Sequence, residues 1–182
     1  MNNSLWKLCR VLANKNRLRI LRQLKSDTEA CVSDIAIEHS LTRPSASKHI
    51  RFLSEYGFIE TRPSGKWLLC RACKPAKDHP LYDLQKILSK KLSSSEKQID
   101  EIYRSATAFT HERRCCIIRL LRDRSMPLNE LVEASNISAI ALNRHLGKLI
   151  LRGLVAETNE TYRFKQPSDP LLKALLELLL HS

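Results

Sequence analysis

The sequence predicts a mainly α-helical chain made of two consecutive copies of one small unit, each a three-helix core with a β-hairpin and flanking helices. Three observations carry this. The 182 residues hold only 4 Gly and 5% aromatics, while Leu, Ile, Lys, Arg and Glu recur at helical spacing. The chain repeats itself: residues 40–60, SLTRPSASKHIRFLSEYGFIE, align with residues 136–156, NISAIALNRHLGKLILRGLVA, so that His49 meets His145, Leu53 meets Leu149 and Gly57 meets Gly153. Within each copy, two helices joined by a short turn precede a pair of short strands, which is the order of a winged helix-turn-helix. The fold class expected is therefore mainly α, with tandem winged helix-turn-helix domains.

The elements follow in chain order. An amphipathic segment around Leu5 to Ala13 leads to a helix from Asn16 to Lys25, whose Leu18, Leu21 and Leu24 share one face and should be core. A short helix from Val32 to Glu38 and a turn at His39-Ser40-Leu41 come next. A longer helix opens at Thr42, a good N-cap, and ends near Tyr56-Gly57, where glycine suits the position past a helix end. FIETRP and KWLLCRA flank Ser64-Gly65 and read as a hairpin, the wing. A last helix is expected from Pro80, capped by Asp78 or His79, to about Leu92. Ser93 to Gln98 is the linker, with a helix from Ile99 to Phe109 beyond it. In the second copy RCCIIRLL from Arg114 matches RLRILRQL from Arg17, and Asp169 caps a helix that Pro170 opens. Two domains result, 1–93 and 94–182.

Charge narrows the partners. A formal net charge of +12 and a pI near 9.7 favour a polyanion, nucleic acid or an acidic membrane. No apolar run reaches the roughly 20 residues of a membrane span, and MNNSLWKLCR lacks the apolar stretch of a secretory signal, so the expected location is the cytoplasm. Six cysteines are too few for a disulfide scaffold and read as reduced thiols. No nucleophile and base pair, phosphate-cradling glycine loop or metalloprotease motif occurs, so the chain is not expected to be an enzyme, and no cofactor is expected.

The second helix of a helix-turn-helix enters the major groove and presents donors outward. From Thr42 onward, Ala46, Ile50 and Leu53 fall on the buried face, and Arg43, Ser47, Lys48 and Arg51 on the opposite stripe. Arg43 stands in the first turn, where a guanidinium reaches guanine; Ser45 and Ser47 are short enough for close approach; Lys48 and Arg51 read as phosphate clamps. The plain alternative is a solvated basic face, and the turn, helix and wing together favour DNA. In the wing, Arg62 and Lys66 are expected along the backbone or neighbouring minor groove, with Trp67 packed beneath. In copy two Arg43 becomes Ala139, Ser47 becomes Asn143, Lys48 becomes Arg144 and Arg51 becomes Gly147. Its expected contacts are Asn143, Arg144 and Lys148. Residues 1–93 hold 18 Lys+Arg against 8 Asp+Glu, and residues 110–182 hold 11 against 8, so copy one should dominate. His49 and His145 read as structural.

The segments NKNRLRILRQL, ACVSDIAIEHSLTRPSASKHIRFLSEYGFIE and SGKWLLCRA, followed by HPLYDLQKIL, resemble the ArsR/SmtB family of winged-helix repressors, closely in copy one and loosely in copy two. The resemblance implies a repressor that binds double-stranded operator DNA as a dimer through the first and last helices of each unit. Fusion of two units implies intramolecular pairing, and the apolar last helix an additional homodimer. The family's thiol pair on the helix before the recognition helix is not matched: Cys31-Val32-Ser33-Asp34 keeps one thiol and loses the other. Cys70 and Cys73 form half of a zinc site, or a reversible disulfide, or two packed thiols, and the packed reading is preferred. Two alternatives to a DNA regulator stand: a winged-helix protein-interaction scaffold, and a thiol- or metal-responsive sensor using Cys70 and Cys73.

Overall fold

Several helices start where a side chain accepts from an open N–H group of the first turn. The computed structural model describes residues 5–24 and 27–180, and within them the elements run α1 (Leu5–Leu12), α2 (Lys15–Gln23), β1 (Ala30–Cys31), α3 (Val32–Glu38), α4 (Arg43–Glu55), β2 (Ile59–Ser64), β3 (Trp67–Ala72), α5 (Tyr82–Leu92), α6 (Glu96–Ala106), α7 (Glu112–Asp123), β4 (Met126–Pro127), α8 (Leu128–Ser135), α9 (Ala139–Leu151), β5 (Val155–Thr158), β6 (Thr161–Phe164) and α10 (Pro170–Leu180). Asn14 caps α2 through Oδ1 to Arg17 N at 3.0 Å, and Thr42 caps α4 through Oγ1 to Ser45 N at 3.4 Å. The Asp169 carboxylate takes Leu171 N at 2.6 Å, with Pro170 as the first residue of α10 as expected. The chain is mainly helical with two small antiparallel sheets and winged helix-turn-helix architecture.

The chain divides into two compact units, Val11–Tyr103 and a second made of Met1–Arg10 with Arg104–Ser182. In the first, Leu18, Ile20, Ile35, Ala46, Ile50, Leu53 and Leu84 form a closed apolar core. Leu21, expected in that core, is only half-buried, and the expected helix end at Lys25 lies outside the described residues. The sheet order is β1-β3-β2, with Ser64 opposite Trp67, so the hairpin turns on Gly65-Lys66, one residue later than expected. Gly65 has φ +57 at the first central position, where a two-residue hairpin turn of this kind needs glycine. Pro63 is tolerated because β2 is an edge strand. Lys15–Asp100, Arg19–Glu96 and Arg22–Glu96 ion pairs, at 2.6 to 2.7 Å, join α2 to α6.

Helix boundaries differ from expectation, and the helix expected over Ile99 to Phe109 ends at Ala106. The helix expected from Pro80 begins at Tyr82, because Leu81 N donates to His79 Nδ1 at 3.2 Å and Tyr82 N to His79 O at 2.9 Å, closing a turn first. The expected linker is shorter: Glu96 to Gln98 already belong to α6, where Glu96 meets the arginines of α2.

The second unit has a core of Phe109, Ile117, Ile118, Leu131, Leu142, Leu146, Leu154, Leu171 and Leu175. Its sheet order is β4-β6-β5, and its hairpin turns on Asn159-Glu160, both at positive φ. Arg114 is buried and held by three hydrogen bonds: Nε donates to Ala108 O at 2.7 Å, and Nη2 to Thr107 O at 3.0 Å and Thr110 Oγ1 at 2.6 Å. Charge-assisted bonds to carbonyls satisfy a guanidinium without a buried carboxylate. Arg17 does the same in the first unit, with Nε donating to Val11 O at 2.5 Å and the guanidinium over the Phe52 ring.

Candidate nucleic-acid interface

The outward face of α4 is set by what its inward face must bury. Ala46, Ile50 and Leu53 are buried, so helical geometry turns Arg43, Ser47, Lys48 and Arg51 to solvent. Ser40, at φ +51 in the turn, lets α4 follow α3 after four residues, 39–42, with Leu41 N donating to Ala36 O at 2.8 Å. Arg43 is held rather than loose: its Nε and Nη2 both donate to Ser33 Oγ of α3, at 3.0 and 2.5 Å. A neutral hydroxyl orients the guanidinium while leaving its charge uncompensated. Ser33 was not singled out in the sequence, and nothing in its spacing marks it.

The other cations differ in how free their charge is. Lys48 has no ion pair among the described residues. Arg51 shares Glu55 one turn along at 3.5 Å. Arg62 is gripped by Glu29, Nε to Oε1 at 3.2 Å and Nη2 to Oε2 at 2.6 Å, and that guanidinium holds the Glu29 carboxyl below its ordinary range. Arg71, which sequence reasoning passed over, is paired with Glu60, its Nε and Nη2 both donating to Oε2. Among the wing cations Lys66 is the one at the tip, its ammonium 5.1 Å from the centre of the Trp67 ring. Trp67 itself corrects an expectation: it is 43% exposed and not packed beneath the wing, because strand alternation sets it on the face opposite the buried Cys70.

In the second unit Asn143, Arg144 and Lys148 are exposed on α9, whose buried face is Leu142, His145, Leu146 and Leu149. The stripe centred outward is Ile140, Arg144, Gly147 and Leu151, with Ile140 79% and Leu151 74% exposed. The matching stripe on α4 is Pro44, Lys48, Arg51 and Glu55. One is charged, the other largely apolar. Ser138 makes no side-chain cap on α9, unlike Thr42 on α4.

The histidines sit inside their units. His145 is buried against His111, ring centres 4.6 Å apart, and its Nδ1 has no hydrogen-bond partner; burial first, then the charges of His111 and Arg114, push its pKa down to about 4. His49 Nδ1 is likewise unpaired, and burial lowers that pKa too. The thiols are also quiet. Burial, then the neighbouring Cys31 and Glu29, pushes Cys70 up to about 11, and burial with Glu60 raises Cys73. Among the described residues no three His, Cys, Asp or Glu side chains gather as a metal site. No helix among the described residues is long and apolar enough to cross a membrane.

An outward cationic helix follows a short turn, with a wing beside it. Residues 12–62 match a helix-turn-helix domain family. That helix-turn-helix region covers α2 to β2 and contains Thr42, Arg43, Ser45, Ser47, Lys48, Arg51 and Arg62; Lys66 and the second unit lie outside it. The chain is 34% identical over 61 residues to the arsenical resistance operon repressor of Escherichia coli (strain K12), a stretch that is 34% of this chain and 52% of that protein. The chain thus spans about half the length of this curated relative. Reduced HlyU from Vibrio cholerae N16961 aligns in structure with 22% identity and a TM-score of 0.39, over 49% of this chain and 87% of that one.

Proposed function

We propose that this chain is a sequence-specific double-stranded DNA-binding transcription regulator of the ArsR-like kind, acting as a repressor in the cytoplasm. The observation that carries the reading is α4, which turns Arg43, Ser47 and Lys48 outward over a closed apolar face. Thr42 and Ser45 fix the first turn, Arg43 reads a base edge in the major groove, and Lys48 and Arg51 hold phosphates. Lys66 at the wing tip reaches the neighbouring backbone, whereas Arg62 does so only by leaving Glu29. The repressor role is supported by the match to a protein of that name. The chemistry is recognition, not catalysis.

The reading includes two tandem winged helix-turn-helix domains, 1–93 and 94–182, paired within one chain. The common order of elements supports the duplication, and so do Arg17 and Arg114, each donating from Nε to the carbonyl six residues before it. In the second domain Asn143, Arg144 and Lys148 make weaker phosphate contacts. A second reading is favoured there by Ile140 and Leu151: the second domain serves as a protein-interaction scaffold while the first binds DNA. α10 buries Leu171, Leu172, Leu175, Leu176 and Leu179 within the single chain, leaving a small surface for a homodimer. Light scattering decides between monomer and dimer.

Selection of bound fragments from a random duplex library at two salt concentrations tests the function. A specific regulator enriches one motif and weakens steeply with salt. No enrichment, together with no binding at low salt, refutes the reading.

A further inference from the structure

In the Val11–Tyr103 unit, α2, the end of β3 and α5 leave between them an open cleft of about 720 Å³. Its floor is apolar, from Leu24, Phe58, Leu88 and Leu92, all nearly buried residues that meet in the cleft. Its rim is cationic. Lys74 and Lys86 stand exposed there without an ion pair among the described residues, and Arg22 is beside them, already paired to Glu96. Asp27 is the one carboxylate in the lining. The volume lies within the range of small-molecule sites, roughly 300–1,000 Å³, and an apolar floor with few polar groups at the rim is their usual make-up.

We propose that this cleft is an effector site for a small organic acid, an apolar or aromatic body seated on the floor with its anionic group at Lys74 and Lys86. A monoanion matches the rim because two unpaired ammonium groups outweigh the single carboxylate. The regulatory step rests on the DNA-binding reading above. The cleft wall is joined to the end of the recognition helix by one side-chain bond, Gln85 Nε2 donating to Gly57 O at 2.6 Å. Phe58 follows Gly57 directly, and its carbonyl accepts from Cys73 N at 3.0 Å at the base of the wing. A ligand that displaces α5 therefore moves the end of α4 and the wing together, and binding differs between the two arrangements.

The test uses the full chain and 1-anilinonaphthalene-8-sulfonate, an aromatic sulfonate of the chemistry proposed. Wild type is expected to give saturable one-site fluorescence. Ser89→Trp, which fills the cleft, and Lys86→Glu, which reverses the rim charge, should each weaken binding about tenfold or more, with unfolding transitions unchanged. Lys97→Glu, outside the lining, should bind as wild type. On the selected duplex, saturating probe should lower affinity for wild type but not for Ser89→Trp, and Gln85→Leu should bind probe without that response. Equal probe binding by wild type, Ser89→Trp and Lys86→Glu overturns the site. So does absence of probe binding in a wild-type dimer that Ser89→Trp converts to monomer, since the cleft is then covered by a second copy. A chain that binds probe as expected but no duplex refutes the DNA reading and leaves the site established.

Discussion

The number of uncompensated cations on the α4 face sets a measurable salt dependence. Arg43, Lys48 and Lys66 have no carboxylate partner among the described residues, while Arg51, Arg62 and Arg71 are paired with Glu55, Glu29 and Glu60. Each phosphate neutralised contributes about 0.9 to the slope of log affinity against log salt; with Arg43 on a base edge, Lys48 and Lys66 are the unpaired cations set on the backbone, so the first domain should contribute a slope near −2. Lys48→Ala should reduce the slope by about 0.9, which narrows the fall in affinity between 50 and 200 mM salt by roughly three- to fourfold. Glu29→Gln makes the opposite prediction. It releases Arg62 from its bidentate pair, and should steepen the slope by up to about 0.9 while strengthening binding. Fluorescence anisotropy on the selected duplex, across a salt series, reads both. An unchanged slope in folded Lys48→Ala, or weaker binding by Glu29→Gln, refutes the assignment of free and engaged charges. Arg144→Ala belongs in the same series: a loss as large as that of Lys48→Ala makes the second domain an equal reader.

Three further outcomes follow from the same geometry. Gly147 lies mid-helix on α9, its φ is not positive and a Cβ there would meet nothing within 4 Å, so Gly147→Ala should stabilise the fold by about 0.5–1 kcal/mol in urea unfolding, and a loss of stability refutes this. His145 has a folded pKa of about 4 against an ordinary 6.5, so the unfolded chain binds the extra proton; the associated stability is full above about pH 6.5 and is lost as pH falls towards 4, on the order of 3 kcal/mol. His145→Gln should flatten the wild-type decline of the urea midpoint over that window, and an equal decline in the variant refutes the assignment. Cys70 and Cys73 are held as thiols, so alkylating reagent at neutral pH should leave DNA affinity nearly unchanged; a large loss abolished by Cys70→Ser with Cys73→Ser would establish a thiol sensor instead.

Local chemistry made much of the fold legible in the sequence. The helix ends at Thr42 and Pro170, the turn after Glu38 and the buried face Ala46, Ile50, Leu53 all follow from caps and 3.6-residue periodicity, which act within a few residues of the chain. Pro80 misled because a proline suits both a helix start and a turn, and the choice went to the turn closed on His79. Which cations are available was decided only by tertiary structure. Glu29 lies 33 residues from Arg62, and Ser33 is ten from Arg43 across a turn, so no periodicity brings either pair together. Trp67 is set outward by strand alternation, on the face opposite the buried Cys70, and residue type alone does not report which face a strand turns inward. The order of elements was written along the chain, but the pairing of charges and the cleft between α2 and α5 depend on distances between remote segments, which only the packed fold sets.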